Sequence, residues 1–314
     1  MQLCPLGYRT RFHTLDRLLY NVGVARRGVR ADVVVGVDLD GFLWARRHDP
    51  RFVVALKGVI ADELRNERGI TRALLSDQAR WERANVHRAD RVVVPSAYSA
   101  DVAAEVYGVS REEIAIVPEL IDVGGWRDRL AAVPAPPPHP PTVLTVARMY
   151  PRKRLADLVQ AVASLRTRIP DVRVRIVGNG PEAPALHALS ARLELGTTVT
   201  FLGDVSAATL AVEYVNADCF CLPSAQDGFG IVFLEAMTAG LPIVACRAAA
   251  VPEVVADGVT GVLVPVRDPD ALAAALARVL TDHSLAASLG AAGRRRVEAF
   301  DLLPVTRQFL EAAA

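Results

Sequence analysis

Residues 224–245, SAQDGFGIVFLEAMTAGLPIVA, constrain the fold more than any other part of this 314-residue chain, because they read in order as turn, helix, turn and strand. Gly228 and Gly230 flank Phe229 and permit a tight turn. Ile231, Val232, Leu234, Met237 and Leu241 then carry helical apolar spacing, and Gly240-Leu241-Pro242 stops the helix. A helix that starts just after a glycine turn presents unpaired backbone N–H groups, which suit the phosphates of a nucleotide. Two carboxylates bracket the turn: Asp227 just before the helix and Glu235 inside it, with seven residues between them. One can meet a sugar and the other a ribose. A buried amphipathic helix with a solvated acidic cap would carry the same Asp.

The flanking chain alternates short apolar runs with helical patterns. Residues 31–37 read as a buried strand ending in the polar turn Asp38-Leu39-Asp40-Gly41, and residues 52–56 as a second strand ending at Lys57-Gly58. Residues 71–89 form a half-buried helix with no assignable chemistry. Residues 91–96, 97–107 and 114–122 add strand, helix and strand-loop. Six of the eight residues 134–141 are proline, which favours an extended linker. Beyond it, 142–147 opens a second series of strands and helices. The expected organisation is therefore a first domain at 1–133, a linker at 134–141, a second domain at 142–300 and a terminal helix at 301–314. A doubly wound domain opens with strand, glycine-rich turn and helix. Residues 1–31 instead carry Leu15, Leu18, Leu19, Val22 and Val24 in helix-like spacing, so the first domain is expected to be shortened.

Lys and Arg number 36 against 35 Asp and Glu, and this net charge of +1 gives no general reason to expect nucleic acid as a partner. The first thirty residues hold Arg9, Arg11, Arg17, Arg26, Arg27 and Arg30 against Asp16 alone, which fits either a solvated surface or a peripheral membrane contact. Cys4, Cys219, Cys221 and Cys246 lack metal-ligand spacing and read as reduced core residues. The scattered histidines give no zinc pattern. No signal-peptide pattern and no membrane-spanning apolar run is read, so a cytoplasmic location is expected, with peripheral contact at the inner face of the membrane as a second option.

An acidic residue, seven residues and a Glu, with Gly-Phe-Gly inside, resembles the signature of family 4 of the retaining glycosyltransferases, which have the GT-B fold. The family usually has Glu where this chain has Asp227. Other motifs follow in the family's order. Arg148 and Lys153 resemble the basic pair that holds the donor diphosphate. Gly178-Asn179-Gly180-Pro181 resembles the Gly-x-Gly-Pro turn, and Gly203-Asp204-Val205 the segment whose backbone reads the nucleotide base. Lys57 stands where many members carry His, and Glu119 where Pro-Asn-Gly-x-Asp has Asn. The resemblance runs over about residues 32–314 and is specific from 148 to 264.

It implies an α/β fold of GT-B type, with two facing Rossmann-like β/α/β domains, the first incomplete. It also implies a hexosyl-type glycosyltransferase of the EC 2.4 class that moves sugar from a nucleoside diphosphate to an acceptor hydroxyl with retention. No metal or cofactor is implied beyond that donor. The catalytic candidates are Arg148, Lys153, Asp227 and Lys57. The donor-binding candidates are Gly178, Gly180, Gly203, Val205, Phe229, Gly230, Ile231 and Glu235. Two other readings stay open: a sugar-nucleotide epimerase or hydrolase on the same fold, and a non-catalytic or half-enzyme subunit whose amino-terminal domain a protein partner completes.

Overall fold

The computed structural model describes residues 13–26, 31–44 and 50–314. Cys4, Arg9, Arg11, Arg27 and Arg30 lie outside the described residues. The chain divides into two compact units, Met1–Pro118 with Thr306–Ala314, and Glu119–Val305. Among the described residues ten strands form two sheets, one in each unit, and every pairing between named strands is parallel.

The first unit contains α1 (His13–Arg26), β1 (Val33–Val37), β2 (Arg51–Ala55), α2 (Ile60–Glu63), α3 (Gly69–Val86), β3 (Arg91–Val94), α4 (Ala97–Tyr107) and β4 (Ile114–Ile116). The strands lie in chain order, β1-β2-β3-β4. Valine-rich strands suit a sheet covered by crossover helices, and Phe52, Val54, Val92 and Val94 bury their side chains with Trp44, Val86 and Tyr107 in one core. Ser96 caps α4 by accepting the Ser99 N–H at 3.0 Å, and Gly108 ends it at φ +71°. Helix α1 is fastened to the turn after β1: Arg17 pairs with Asp40, and the Asn21 side chain accepts the Gly41 N–H at 2.6 Å.

The second unit contains α5 (Val123–Ala131), β5 (Thr142–Val146), α6 (Leu155–Arg168), β6 (Arg173–Val177), α7 (Ala183–Arg192), β7 (Val199–Gly203), α8 (Ala207–Val215), β8 (Cys219–Leu222), α9 (Ile231–Ala239), β9 (Ile243–Cys246), α10 (Val251–Val254), β10 (Gly261–Val264), α11 (Pro269–Thr281), α12 (His283–Arg296) and α13 (Leu302–Ala313), whose last turns belong to the first unit. Its sheet order is β10-β9-β8-β5-β6-β7. The chain runs outward from β5 to β7, returns beside β5 as β8, and runs outward the other way. The strand order therefore reverses between β5 and β8. In such sheets ligands bind outside the carboxyl ends of the strands at that reversal. Cys219, Cys221 and Cys246 are buried free thiols on β8 and β9.

The proline-rich stretch 134–141 does not separate the units; the division falls at Pro118–Glu119. Helix α5 explains the difference. Its Trp126 and Val123 are buried in the second unit's core, and its indole stands edge-on to Tyr214 at 5.6 Å. The arginines at the end of α12 do more than complement that helix's own dipole. Arg294 donates to the Ala239 carbonyl at 2.9 Å, closing the end of α9, and Arg296 donates to the Val254 and Glu253 carbonyls at 2.7 and 2.6 Å.

Candidate functional site

The loops after β5 and β8 carry the charged groups. After β5 the chain is pinned at two points, with Ala147 N–H on the Val177 carbonyl at 3.0 Å and Met149 N–H on the Asn179 carbonyl at 2.9 Å. Between them Arg148 is exposed; its carbonyl accepts the Tyr150 N–H at 2.8 Å, and its guanidinium has no hydrogen-bond or ion-pair partner among the described residues. A short turn, Pro151–Lys153, follows. Four bases stand at 148, 152, 153 and 154, and the structure sorts them. Arg154 is bound to Asp157 by two hydrogen bonds of 2.8 and 2.6 Å. Arg152 lies over the Tyr150 ring at 4.9 Å, and its carbonyl accepts the Ala225 N–H at 2.9 Å. Lys153 reaches across to the loop after β8, where its ammonium pairs with Oδ1 of Asp227.

Asp227 is buried, and its Oδ2 has no hydrogen-bond partner. The same holds for the hydroxyl of Ser224, three residues earlier. A polar atom buried without a partner is costly, so these atoms are consistent with a site built for a polar ligand. Gly230 sits at φ +98°, where a Cβ would stand 2.6 Å from the Phe233 ring, so only glycine admits this entry into α9. No side chain caps α9, and the N–H groups of its first turn, Ile231 included, have no side-chain acceptor. The ring of Phe229 is buried edge-on to Phe300 at 5.6 Å, so this residue supports the turn by packing and offers a ligand only its backbone.

Gly178, after β6, has φ +113°, and a Cβ there would lie 2.1 Å from the Ala147 carbonyl oxygen. Its N–H donates to the Gly203 carbonyl at 2.8 Å. At Gly180 a Cβ would lie 2.7 Å from the Met149 oxygen. The glycines thus let the turn after β6 lie directly against the loop that holds Arg148. Gly203 and the half-buried Val205 follow at the end of β7.

Glu235, in the second turn of α9, accepts from the Tyr214 hydroxyl at 2.8 Å on Oε2, while its backbone carbonyl accepts the Trp126 indole N–H at 3.3 Å. Burial pushes its carboxyl above the usual range, and the Tyr214 hydrogen bond pulls it back. Neither Tyr214 nor Trp126 carries a motif in the sequence. Lys57 lies in the other unit, exposed just beyond β2, and its backbone N–H donates to Asp38 at 2.7 Å.

Within the second unit, then, the elements around the β5/β8 reversal supply two cations, an uncapped helix start and two carboxylates. Cations and helix N–H groups bind a diphosphate, and carboxylates accept hydrogen bonds from hydroxyls. Among the described residues no group of three or more His, Cys, Asp or Glu could hold a metal ion, and no helix is long and apolar enough to cross a membrane.

Residues 127–296 match the family model described as glycosyl transferases group 1, and residues 3–124 match that of glycosyltransferase family 4. Over 161 residues, 49% of this chain, it is 37% identical to a GDP-mannose-dependent alpha-(1-6)-phosphatidylinositol monomannoside mannosyltransferase of Mycolicibacterium smegmatis, covering 42% of that protein. It is 32% identical over 228 residues, 68% of the chain, to a D-inositol 3-phosphate glycosyltransferase of Kribbella flavida, covering 54% of it. The chain thus spans about half the length of these relatives. Among solved structures, a sucrose-phosphate synthase of Thermosynechococcus elongatus superposes with a TM-score of 0.77 at 25% identity over 99% of this chain and 80% of that one. Anabaena HepE in complex with UDP and glucose gives 0.72 at 22% identity, over 89% and 77%. The chain belongs to the glycosyl transferases group 1 family, in glycosyltransferase family 4, and its two Rossmann-like units are those of the GT-B fold.

Proposed function

We propose that the protein transfers a hexose-type sugar from a nucleoside diphosphate to an acceptor hydroxyl, with retention at the anomeric carbon. The observation that carries this reading is the Lys153–Asp227 pair at the strand reversal, with Arg148 unpaired beside it. In this reading Lys153 and Arg148 bind the donor diphosphate, and the N–H groups of Gly230 and Ile231 add to that hold. As the sugar–phosphate bond breaks, negative charge grows on the leaving phosphate, which is where fixed cations stabilise the transition state most. Asp227 accepts a hydroxyl of the transferred sugar once the diphosphate draws Lys153 away. Glu235 accepts the ribose hydroxyls. Gly178, Gly180, Gly203 and Val205 shape the nucleotide's resting place. The leaving diphosphate helps to take the acceptor proton, so no protein base is assigned. Lys57, on the first unit, is a separate candidate for supplying positive charge.

The names of the relatives make GDP-mannose the first donor to test, with UDP-glucose beside it. At about a hundred times its dissociation constant the true donor should stabilise the protein by roughly 2.7 kcal/mol, read as a rise in melting temperature. Transfer to a hydroxyl acceptor in the presence of chelator, with the product's anomeric configuration read by proton NMR, completes the test. Failure of every nucleoside diphosphate sugar to raise the melting temperature would overturn the reading. A sugar nucleotide altered with no acceptor present would favour an epimerase or hydrolase.

A further inference from the structure

Two helices of the second unit, α5 and α8, each donate a hydrogen bond to one residue of α9, Glu235. Tyr214, on α8, is 1% exposed, stacks on Phe220 at 6.0 Å and meets the edge of Trp126 on α5. Both aromatic residues spend their polar atom on Glu235 of α9, Tyr214 on the side chain and Trp126 on the backbone. A buried tyrosine hydroxyl needs a partner; here Oε2 of Glu235 lies 2.8 Å away, and the Val232 carbonyl, at 3.4 Å, is the more distant acceptor. Oε1 of Glu235 has no hydrogen-bond partner among the described residues. We infer that Tyr214 is the positioning residue of the nucleotide-ribose site: its hydroxyl fixes the Glu235 carboxylate in one orientation, so that Oε1 is offered to a ribose diol. This rests on the donor-site reading above and extends it to a residue that touches no ligand.

Three observations favour this over simple packing. The ring alone would pack as well as a phenylalanine, yet the hydroxyl is aimed at Oε2. Burial works against ionisation of Glu235, and the Tyr214 hydrogen bond is what opposes it. No charged group does that work. On α5, Arg127 is paired with Glu298 at 2.5 Å; on α8, Glu213 is paired with Arg175; on α12, which packs on α9, Arg294 and Arg296 donate to backbone carbonyls.

The test is calorimetric titration of the whole chain and of Tyr214→Phe with GDP, UDP and their 2′,3′-dideoxy counterparts, across pH 5 to 8. For the nucleotide that binds, Tyr214→Phe should weaken the ribose form about tenfold, leave the dideoxy form unchanged, and move upward the pH below which ribose-dependent affinity is lost. In a Glu235→Ala background it should cost nothing further. Equal loss for ribose and dideoxy forms, or no loss for either, overturns the inference while the donor site stands. If neither nucleotide binds the unaltered chain, the donor-site reading fails and this falls with it. Should Tyr214→Phe not fold, 3-fluorotyrosine placed at 214 is a stronger donor of the same shape and must move that pH limit downward; an unmoved limit overturns the proposal.

Discussion

Lys153 and Asp227 stand on the two loops where the strand order of the second unit reverses, and their side chains, 14% and 10% exposed, pair with each other. An ion pair this buried contributes little net stability, but removing one member leaves the other charged and uncompensated, at about 3–5 kcal/mol. Lys153→Ala should therefore lower unfolding free energy by about 3 kcal/mol, and adding Asp227→Ala should restore most of that while the protein stays inactive. Urea unfolding of the single and double variants measures the coupling. Simple additivity would mean that the two charges do not sense each other.

The glycines rank by what a methyl group would strike. Gly178 combines φ +113° with a carbonyl oxygen 2.1 Å from its Cβ position, whereas Gly203 has φ +64° and open space around it. The first conformation is closed to other residues, while the second is the left-handed region that they enter at about 1 kcal/mol. Gly178→Ala should fail to fold or lose several kcal/mol, and Gly203→Ala about 1 kcal/mol. Melting curves of the two variants check the order, and a milder Gly178→Ala would remove the packing role assigned to that turn.

Much of this architecture is legible in the sequence, and the limits have physical causes. The β/α alternation shows because the buried strands are short apolar runs, most of them rich in Val, Ile or Leu. The helix after Gly230 shows because its turn needs glycine. The proline run reads as a boundary, yet Trp126 before it is buried in the second unit, and no local pattern announces a long-range contact of that kind. Tyr214 and Glu235 are hydrogen-bonded but 21 residues apart on different helices, so their pairing follows only from how α8 packs on α9. Helix α3, to which the sequence assigns no chemistry, carries Glu82, which becomes notable only when the fold brings Tyr107 and Ile60 to it.

Glu82 gives a pH-dependent prediction. Burial pushes its carboxyl from 4.5 up to about 8, while it accepts from Tyr107 and from the Ile60 N–H at 2.9 Å, with Oε1 left unpartnered. Between pH 4.5 and 8 the folded chain keeps a proton that the unfolded chain releases. Stability from this group is thus fully present below pH 4.5 and falls as the pH rises to about 8. Glu82→Gln keeps the shape and cannot ionise. Its melting temperature should match the unaltered chain near pH 5, exceed it increasingly toward pH 8, and run parallel above. A constant difference at all pH values would show that Glu82 does not titrate in this range.

The last prediction separates the two carboxylates of the helix-start motif. Glu235 is held by Tyr214 and, in the proposed reading, touches the ribose, whose charge does not change during transfer. An interaction equal in ground and transition states alters the Michaelis constant and leaves turnover alone. Glu235→Ala should raise the Michaelis constant for donor about tenfold or more while turnover at saturation stays within a few-fold. Asp227 and Lys153 sit where charge develops, on the sugar and on the leaving phosphate respectively. Interactions realised in the transition state lower turnover when removed, by on the order of a hundredfold for a single donor. Asp227→Ala and Lys153→Ala should therefore lower turnover even at saturating donor, in excess of any loss that unfolding explains at the assay temperature. Asp227→Asn refines the point, because it keeps the hydrogen-bonding shape and removes only the charge. If charge matters at the sugar, this variant loses turnover as well; if Asp227→Asn and Lys153→Ala both turn over near the unaltered rate, the chemistry lies elsewhere than at the Lys153–Asp227 pair.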